Sequence, residues 1–356
     1  MPSRLLSPTD LDHLMKGASV LGTGGGGSYT RARAIVSELA HRRLQLTPLA
    51  ELPPEALGVT AFIAGGGLTH DDVERLTALA EVTPALGAAR ALEAALGRPI
   101  GFVYAAEIGP QNTLEPARLA ALLGVPLVDG DCAGRSVPEL NLFTLALAGI
   151  PMPPFSVATF QGDALVVTTV AQPERAEAMV RALASASGGI VCVTGFPVTA
   201  KVLRGALIPG TLSRAMQLGS HTGPGRHPAQ ALAAATPGGR LAFRGRVAAA
   251  AIRKEGGFFR GTVDLEGTDG FQGRRYRLGV QNEFMWSWED DRLDIRCPDL
   301  ICVVDWDSGT GKLTYGNGFE QSVEVGDEVA VLRFPCPDIW DSPEGRARFP
   351  QPPAVP

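Results

Sequence analysis

Asp129 and Asp131 stand two residues apart in the stretch VPLVDGDCAGRSVPEL, with Arg135 four positions further on. Side chains alternate along an extended chain, so both carboxylates project to one side if the strand continues through them. Two carboxyl groups so placed can divide acid and base roles when their surroundings separate their pKa values, or can hold a divalent cation. The plainer alternative is that both aspartates shape the turn, with Arg135 as their ion-pair partner. Cys132 lies inside the cluster. A thiol is a nucleophile only where a neighbour lowers its pKa, and no histidine is near it in sequence. A small buried residue is the expectation there. Ser136 and Glu139 have capping-box spacing, with Pro138 in the first helical turn, which accounts for Glu139 as a cap.

A second candidate is the run VLGTGGGGSYTRARAIV, residues 20–36. Gly22, Gly24 and Gly27 satisfy G-x-G-x-x-G. That pattern reads a dinucleotide only after a strand, before a helix and with an acid about 20 residues on. Here the preceding residues have helical period, and the acid's place is taken by RRLQLTP, so NAD is not expected. What remains is a set of glycine amides, Gly24, Gly25, Gly26 and Gly27, leading to Ser28 at the start of a helix. Such a loop can cradle an anion or a carbonyl oxygen. The alternative is a tight turn between closely packed elements.

Further polar residues fall at element ends. AAEIGPQNT places Glu107 and Asn112 after a strand, where they can face the same crevice. QNEF holds Asn282 and Glu283, and CPDLI holds Asp299; in an alternating strand these read as ordinary outward-facing polar residues. His70 follows a glycine turn and starts a helix. His221 and His227 lie in the glycine- and proline-rich SHTGPGRHP, and the five histidines form no metal pair at helical spacing.

The elements that carry these residues follow from periodicity. Ser7 with Asp10 opens an amphipathic helix, and a second helix runs from Tyr29 to His41. VTAFIAGGG, PIGFVYAAEIG and VPLVDGD read as strands. DDVERLTALAEV, PALGAARALEAALG, EPARLAALLG and PELNLFTLALAG read as helices between and after them. This alternation predicts an α/β layered domain with a mainly parallel sheet. From Arg240 the chain becomes β-rich, with alternating faces and Gly/Asp turns that suggest a small barrel or sandwich. The expected division is residues 1–160 as the α/β domain and 161–356 as a β-barrel-like domain with helical insertions, the change falling within residues 154–170.

Composition bounds the function classes. In 356 residues, 45% are hydrophobic and 19% charged, which suits packed cores; the net charge of -5 and the absence of a Lys/Arg run argue against nucleic acid. No stretch has the length and apolarity to span a bilayer, and the five cysteines form no C-x-x-C pair. A soluble cytoplasmic protein is expected.

Taken together, GTGGGGS, AAEIGPQNT, GVPLVDGDCAGRSVPEL, QNE and PDLI resemble, in order over roughly residues 7–345, the S-methyl thiohydantoin desulfurase domain family. The resemblance implies an α/β domain followed by a β-barrel-like one. It also implies hydrolase-type chemistry on a cyclic imide or amide such as a hydantoin or thiohydantoin. It places in the site residues 24–28, Glu107, Asn112, Asp129, Asp131, Arg135, Glu139, Asn282, Glu283 and Asp299. The catalytic set expected from it is Asp129, Asp131, Arg135 and Glu107, with a divalent metal as an open question. The chain departs from the family's pattern at Cys132, where glycine is usual, and at Ser136, where alanine is usual; the first departure argues against a thiol nucleophile. Family members are associated with hydantoinase/oxoprolinase proteins. That leaves two rival expectations, an accessory subunit of such a complex and a nucleotide- or phosphate-binding protein. A homo-oligomer is expected.

Overall fold

The computed structural model describes residues 2–65, 68–79, 83–223, 225, 228–255, 258–315 and 319–353. The first helix, Pro8–Leu21, starts where Ser7 and Asp10 cap each other reciprocally, the Ser7 hydroxyl accepting from the Asp10 amide and the Asp10 carboxylate from the Ser7 amide. Its buried face, Leu11, Leu14, Met15 and Ala18, repeats at helical spacing. The glycine loop follows, and Ser28 caps the second helix, Tyr29–Leu39. The loop therefore joins two helices, the context that separates it from a dinucleotide fingerprint.

The N-terminal sheet has eight strands. Across it lie Arg4–Leu5, Gln45–Thr47, Leu127–Val128, Phe102–Tyr104, Leu57–Gly65, Ile190–Thr199, Phe155–Ala158 and Ala164–Val167. The four from Gln45–Thr47 to Leu57–Gly65 are mutually parallel, and the other pairings are antiparallel. The sheet is thus mixed rather than mainly parallel. The hairpin of Phe155–Ala158 with Ala164–Val167 needs only a short turn, and antiparallel pairing is what a short turn permits. The long strand Ile190–Thr199 then runs antiparallel against Leu57–Gly65, from Gly65 opposite Ile190 to Leu57 opposite Thr199. The sheet accordingly takes in Ala164–Val167 and Ile190–Thr199, both beyond residue 160.

The C-terminal sheet is antiparallel throughout. Its seven strands lie in the order Arg292–Arg296, Glu283–Glu289, Arg275–Gln281, Phe258–Gly267, Arg240–Glu255, Glu328–Phe334 and Leu300–Asp305. The sheet curls until Glu283–Glu289 also meets Leu300–Asp305, making a half-barrel filled by Phe243, Val263, Leu278, Phe284 and Val331. The helical insertions Thr211–Gly219 and Pro228–Ala234 precede it. Thr211–Gly219 crosses the first helix at Gly17 and Gly219, where an added methyl would collide with the backbone at Ala215 and His13. One apolar core runs from Leu11 and Leu14 through Leu212 and Leu232 to Leu300, Val304 and Leu332, so helices and half-barrel share it.

Arg135 fastens the two halves together. Its fully buried guanidinium donates to the Thr23 hydroxyl and the Ser136 carbonyl on the N-terminal side. On the half-barrel side it donates to the Phe284 carbonyl (3.1 Å), the Asp299 carbonyl (3.4 Å) and the Cys297 sulfur (2.7 Å). Arginine's fixed fork of donors suits it to bridging several acceptors at once.

Candidate functional site

Glu107 leaves the end of the strand Phe102–Tyr104 and precedes the helix Pro110–Leu123. That is the carboxyl end of the parallel strands, where ligands collect in open α/β sheets. The Asn112 side-chain amide donates to Glu107 Oε1 at 2.7 Å and the Val137 amide to Oε2 at 3.0 Å. Asn112 is itself fixed, its Oδ1 accepting from the Ile63 amide. Glu107 is 7% exposed. Burial pushes its pKa up to about 7, against the two hydrogen bonds that favour the anion.

Glu283 arrives from the half-barrel. The strands Arg275–Gln281 and Glu283–Glu289 pair with Gln281 opposite Glu283, so the chain reverses at Asn282. Asn282 takes a left-handed φ of 58°, and its Oδ1 accepts from the Phe259 amide at 2.8 Å. Asparagine tolerates that conformation because its short amide bonds locally. The hairpin tip delivers Glu283 against Gly25, where any side chain would overlap its carboxyl group. Glu283 is 3% exposed, and Oε2 has no hydrogen-bond partner among the described residues. Burial, reinforced by the charge of Glu107, holds its pKa well above the usual carboxylate range.

Both carboxyl groups line one cavity of about 170 Å³ between the two halves of the chain. Gly26, Gly27, Ser28, Gln111, Asn112, Glu139 and Asn282 share its lining, as do Glu177, Arg181 and Lys254. Gln281 holds Glu139 through a 3.2 Å bond to Oε1, and Arg181 pairs with Glu177. Among the described residues no histidine or cysteine is in the lining. Two neighbouring carboxyls whose environments differ are the arrangement that keeps one acid protonated beside an ionised base.

Family models for the S-Me-THD-like N-terminal domain and the S-Me-THD-like C-terminal domain match residues 9–169 and 171–350. The chain belongs to the S-Me-THD-like family. A crystal structure of a protein from Chromobacterium violaceum superposes with a TM-score of 0.79, covering 97% of this chain and 95% of that one at 24% identity, which shows the shared fold. No curated protein matches the chain.

In this S-Me-THD-like chain the residues expected in the site divide. Glu107, Asn112, Glu139, Asn282, Glu283, Gly26, Gly27 and Ser28 meet in the cavity. Asp129, Asp131, Arg135, Asp299, Gly24 and Gly25 are not in its lining. The strand breaks at Asp129, between Leu127–Val128 and Gly130–Asp131, so the two aspartates turn to different partners. Asp129 accepts from the amide and hydroxyl of Ser213, serving the uncapped start of Thr211–Gly219. Asp131 folds back onto the amides of Ala133 and Gly134. Burial raises its pKa to about 7. Asp299 takes Arg333 and Arg346, and Arg135 is the bridge described above rather than an ion-pair partner of the aspartates.

The amides of Gly25, Gly27 and Ser28 are committed within the protein. Gly27 donates to the Tyr315 hydroxyl and Ser28 to Gln111 Oε1, while the Gly26 carbonyl accepts from the Gln111 and Asn112 amides. The loop thereby caps the Pro110–Leu123 helix and sets Asn112 under Glu107, and the amides of Gly27 and Ser28 do not form an open anion cradle. The capping box at Glu139 does not form either. Ser136 donates to the Ile108 carbonyl, and the expected helix is a 3₁₀ turn, Leu140–Leu142, and a short helix, Thr144–Leu147. Cys132 is fully buried with its thiol pKa pushed well up, a packing residue.

His70 begins the helix His70–Ala78 behind the Thr69 cap. His227 and the glycine turn at residues 66 and 67 lie outside the described residues. Among the described residues no three His, Cys, Asp or Glu side chains form a group able to hold a metal ion, and no helix is long and apolar enough to cross a membrane. Sequence reasoning passed over Gln111, Arg181, Lys254, Tyr315 and the aromatic lining. Only Gln111 had a usable signal, its place beside Asn112 in AAEIGPQNT.

Proposed function

We propose that the chain is a hydrolase of S-methyl thiohydantoin-type rings, with Glu107 as general base and Glu283 as general acid. The observation that carries this is the buried pair lining one cavity: Glu107, oriented by Asn112 and the Val137 amide and raised to about 7, and Glu283, whose Oε2 has no hydrogen-bond partner among the described residues and whose burial favours its protonated form. In this reading Asp129 and Asp131 hold the scaffold, and the acid–base work passes to the glutamates.

The substrate has a ring carbon bonded to the methylthio sulfur and double-bonded to a ring nitrogen. Ionised Glu107 takes a proton from water as its oxygen bonds to that carbon, and protonated Glu283 gives its proton to the ring nitrogen. The resulting tetrahedral carbon bears the hydroxyl, the methylthio group and both ring nitrogens. Collapse returns the hydroxyl proton to Glu283, breaks the carbon–sulfur bond, and passes the proton on Glu107 to the departing sulfur. Water and substrate become hydantoin and methanethiol, and both carboxyls recover their starting states. Asn112 and the Val137 amide orient Glu107 throughout. The Asn282 turn holds Glu283 in place.

The test is turnover of an S-methylated thiohydantoin in ¹⁸O-water by purified protein. The reading expects methanethiol release with one ¹⁸O in the new ring carbonyl. Folded protein that releases no methanethiol, or a product without the label, contradicts it.

A further inference from the structure

Tyr315 lines the same cavity and takes no part in the acid–base exchange. It is anchored to the glycine loop, since the amide and hydroxyl of the preceding Thr314 both donate to the Gly24 carbonyl. Its own hydroxyl oxygen accepts from the Gly27 amide at 3.0 Å. Glu283 lies against Gly25, two residues back along that loop, so the loop brings the carboxyl and the phenol side by side. The ring is held between Phe259 and Phe319, with centroids 5.6 and 5.9 Å away. A phenol has one hydrogen to give, and among the described residues no group accepts that of Tyr315. The amide bonded to the oxygen polarises the O–H bond and strengthens it as a donor. Burial of the hydroxyl, with the charges of Glu283 and Glu107, pushes its pKa up, so the hydrogen stays in place while Glu107 titrates.

The proposed chemistry has a use for such a donor. As water adds to the carbon bearing sulfur, an electron pair moves onto the ring nitrogen that shared the double bond. Where that nitrogen also carries the ring carbonyl, part of the charge reaches the carbonyl oxygen. A fixed donor at that oxygen lowers the barrier while Glu283 protonates the nitrogen. Resting on the proposed ring chemistry, we infer that the Tyr315 hydroxyl donates a hydrogen bond to the substrate's ring carbonyl oxygen. The glycine loop then serves the anion at one remove, by aiming and polarising Tyr315. Arg181 and Lys254 line the same cavity, Arg181 drawn to Glu177 and to the Phe258 ring, and are the rival donors to that oxygen.

The experiment compares wild type with Tyr315→Phe in two readouts. One is turnover of an S-methyl thiohydantoin. The other is the infrared band of hydantoin labelled with ¹³C at that ring carbonyl, bound to the intact protein. Phenylalanine keeps the ring and deletes the hydroxyl. Removing one donor to a developing oxyanion costs about 10²- to 10³-fold in kcat. The expectation is a loss of that size, with the bound carbonyl band returning to higher frequency in the variant. A band equal in wild type and folded variant overturns the inference even where kcat falls, because Arg181, Lys254 or the freed Gly27 amide then accounts for the loss. A kcat within about twofold of wild type overturns it as well. Replacing all four tyrosines by 3-fluorotyrosine covers the case in which Tyr315→Phe does not fold. The other three, Tyr29, Tyr104 and Tyr276, are outside the lining. The more acidic phenol should lower the bound carbonyl band further, and an unmoved band overturns the inference. Each of these failures leaves the ring reading standing if wild type turns over. Wild type that neither turns over the thiohydantoin nor binds hydantoin overturns both.

Discussion

Gly25→Ala offers a local and quantitative perturbation of the proposed acid. A methyl group on Gly25 would sit 2.7 Å from Cγ and 2.8 Å from Cδ of Glu283. Carbon atoms in ordinary contact lie about 3.5–4.0 Å apart, so the carboxyl group must withdraw by about 1 Å. Gly25 is not among the residues with a left-handed φ, so alanine adds no backbone strain there. Overpacking of this kind costs about 1–3 kcal/mol, less than the usual 5–15 kcal/mol of a folded domain. A 1 Å misplacement of a reacting group costs about 10²-fold in rate. The expectation is therefore a folded protein, by near-UV circular dichroism and a modestly lowered Tm, whose kcat on an S-methyl thiohydantoin falls about 100-fold. Gly87→Ala is the matching control. Gly87 lies within the helix Pro84–Leu96, and among the described residues no atom outside the helix's own backbone lies within 4 Å of the new methyl, so Tm rises by the equivalent of up to about 1 kcal/mol and kcat is unchanged. A Gly25→Ala protein that folds and keeps kcat within about twofold of wild type refutes the assignment of Glu283.

Three further outcomes follow from the same geometry. Arg135→Met leaves Thr23 and the carbonyls of Phe284 and Asp299 without their buried donor, and loses about 3 kcal/mol or more in denaturant unfolding; an unchanged midpoint contradicts its bridging role. Asp129→Ala removes the cap on Thr211–Gly219, costs about 1 kcal/mol, and keeps turnover, whereas a folded but inactive variant would return the base to Asp129. Glu107 binds its proton more tightly folded than unfolded, so its contribution to stability is complete below about pH 4.5 and is lost as pH rises through about 7. The rise from 4.5 to about 7 corresponds to about 3 kcal/mol. Glu107→Gln should gain about that much over wild type at pH 8 relative to pH 4, read from urea midpoints at both pH values; parallel wild-type and variant profiles contradict the shift.

The sequence made the first helix, the glycine loop's helix–loop–helix setting and the β-rich second half legible, because capping boxes, 3.6-residue period and turn glycines act over a few residues. It did not show that Ala164–Val167 and Ile190–Thr199 join the first sheet, since strand partnership is a long-range choice. The acidic cluster drew attention by proximity in sequence, yet Ser213 claims Asp129 from 84 residues away and the Ala133 and Gly134 amides claim Asp131. The reverse held for Glu283. In VQNEF it reads as an outward-facing strand residue, and only the reversal at Asn282 turns it toward Gly25 and into the cavity with Glu107. Partners separated by 176 positions share no local pattern; the family resemblance, not periodicity, brought Glu107 and Glu283 onto one page.

The most direct measurement is methanethiol release from an S-methyl thiohydantoin across pH 5–10 by wild type, Glu107→Gln and Glu283→Gln, each with Tm measured at the assay pH. The account predicts a wild-type profile that rises through about pH 7 as Glu107 ionises, with Glu283, whose burial favours its protonated form, supplying the proton. Either single glutamine variant should stay folded and lose at least 100-fold in kcat. Full activity in both folded variants would contradict the carboxyl-pair mechanism.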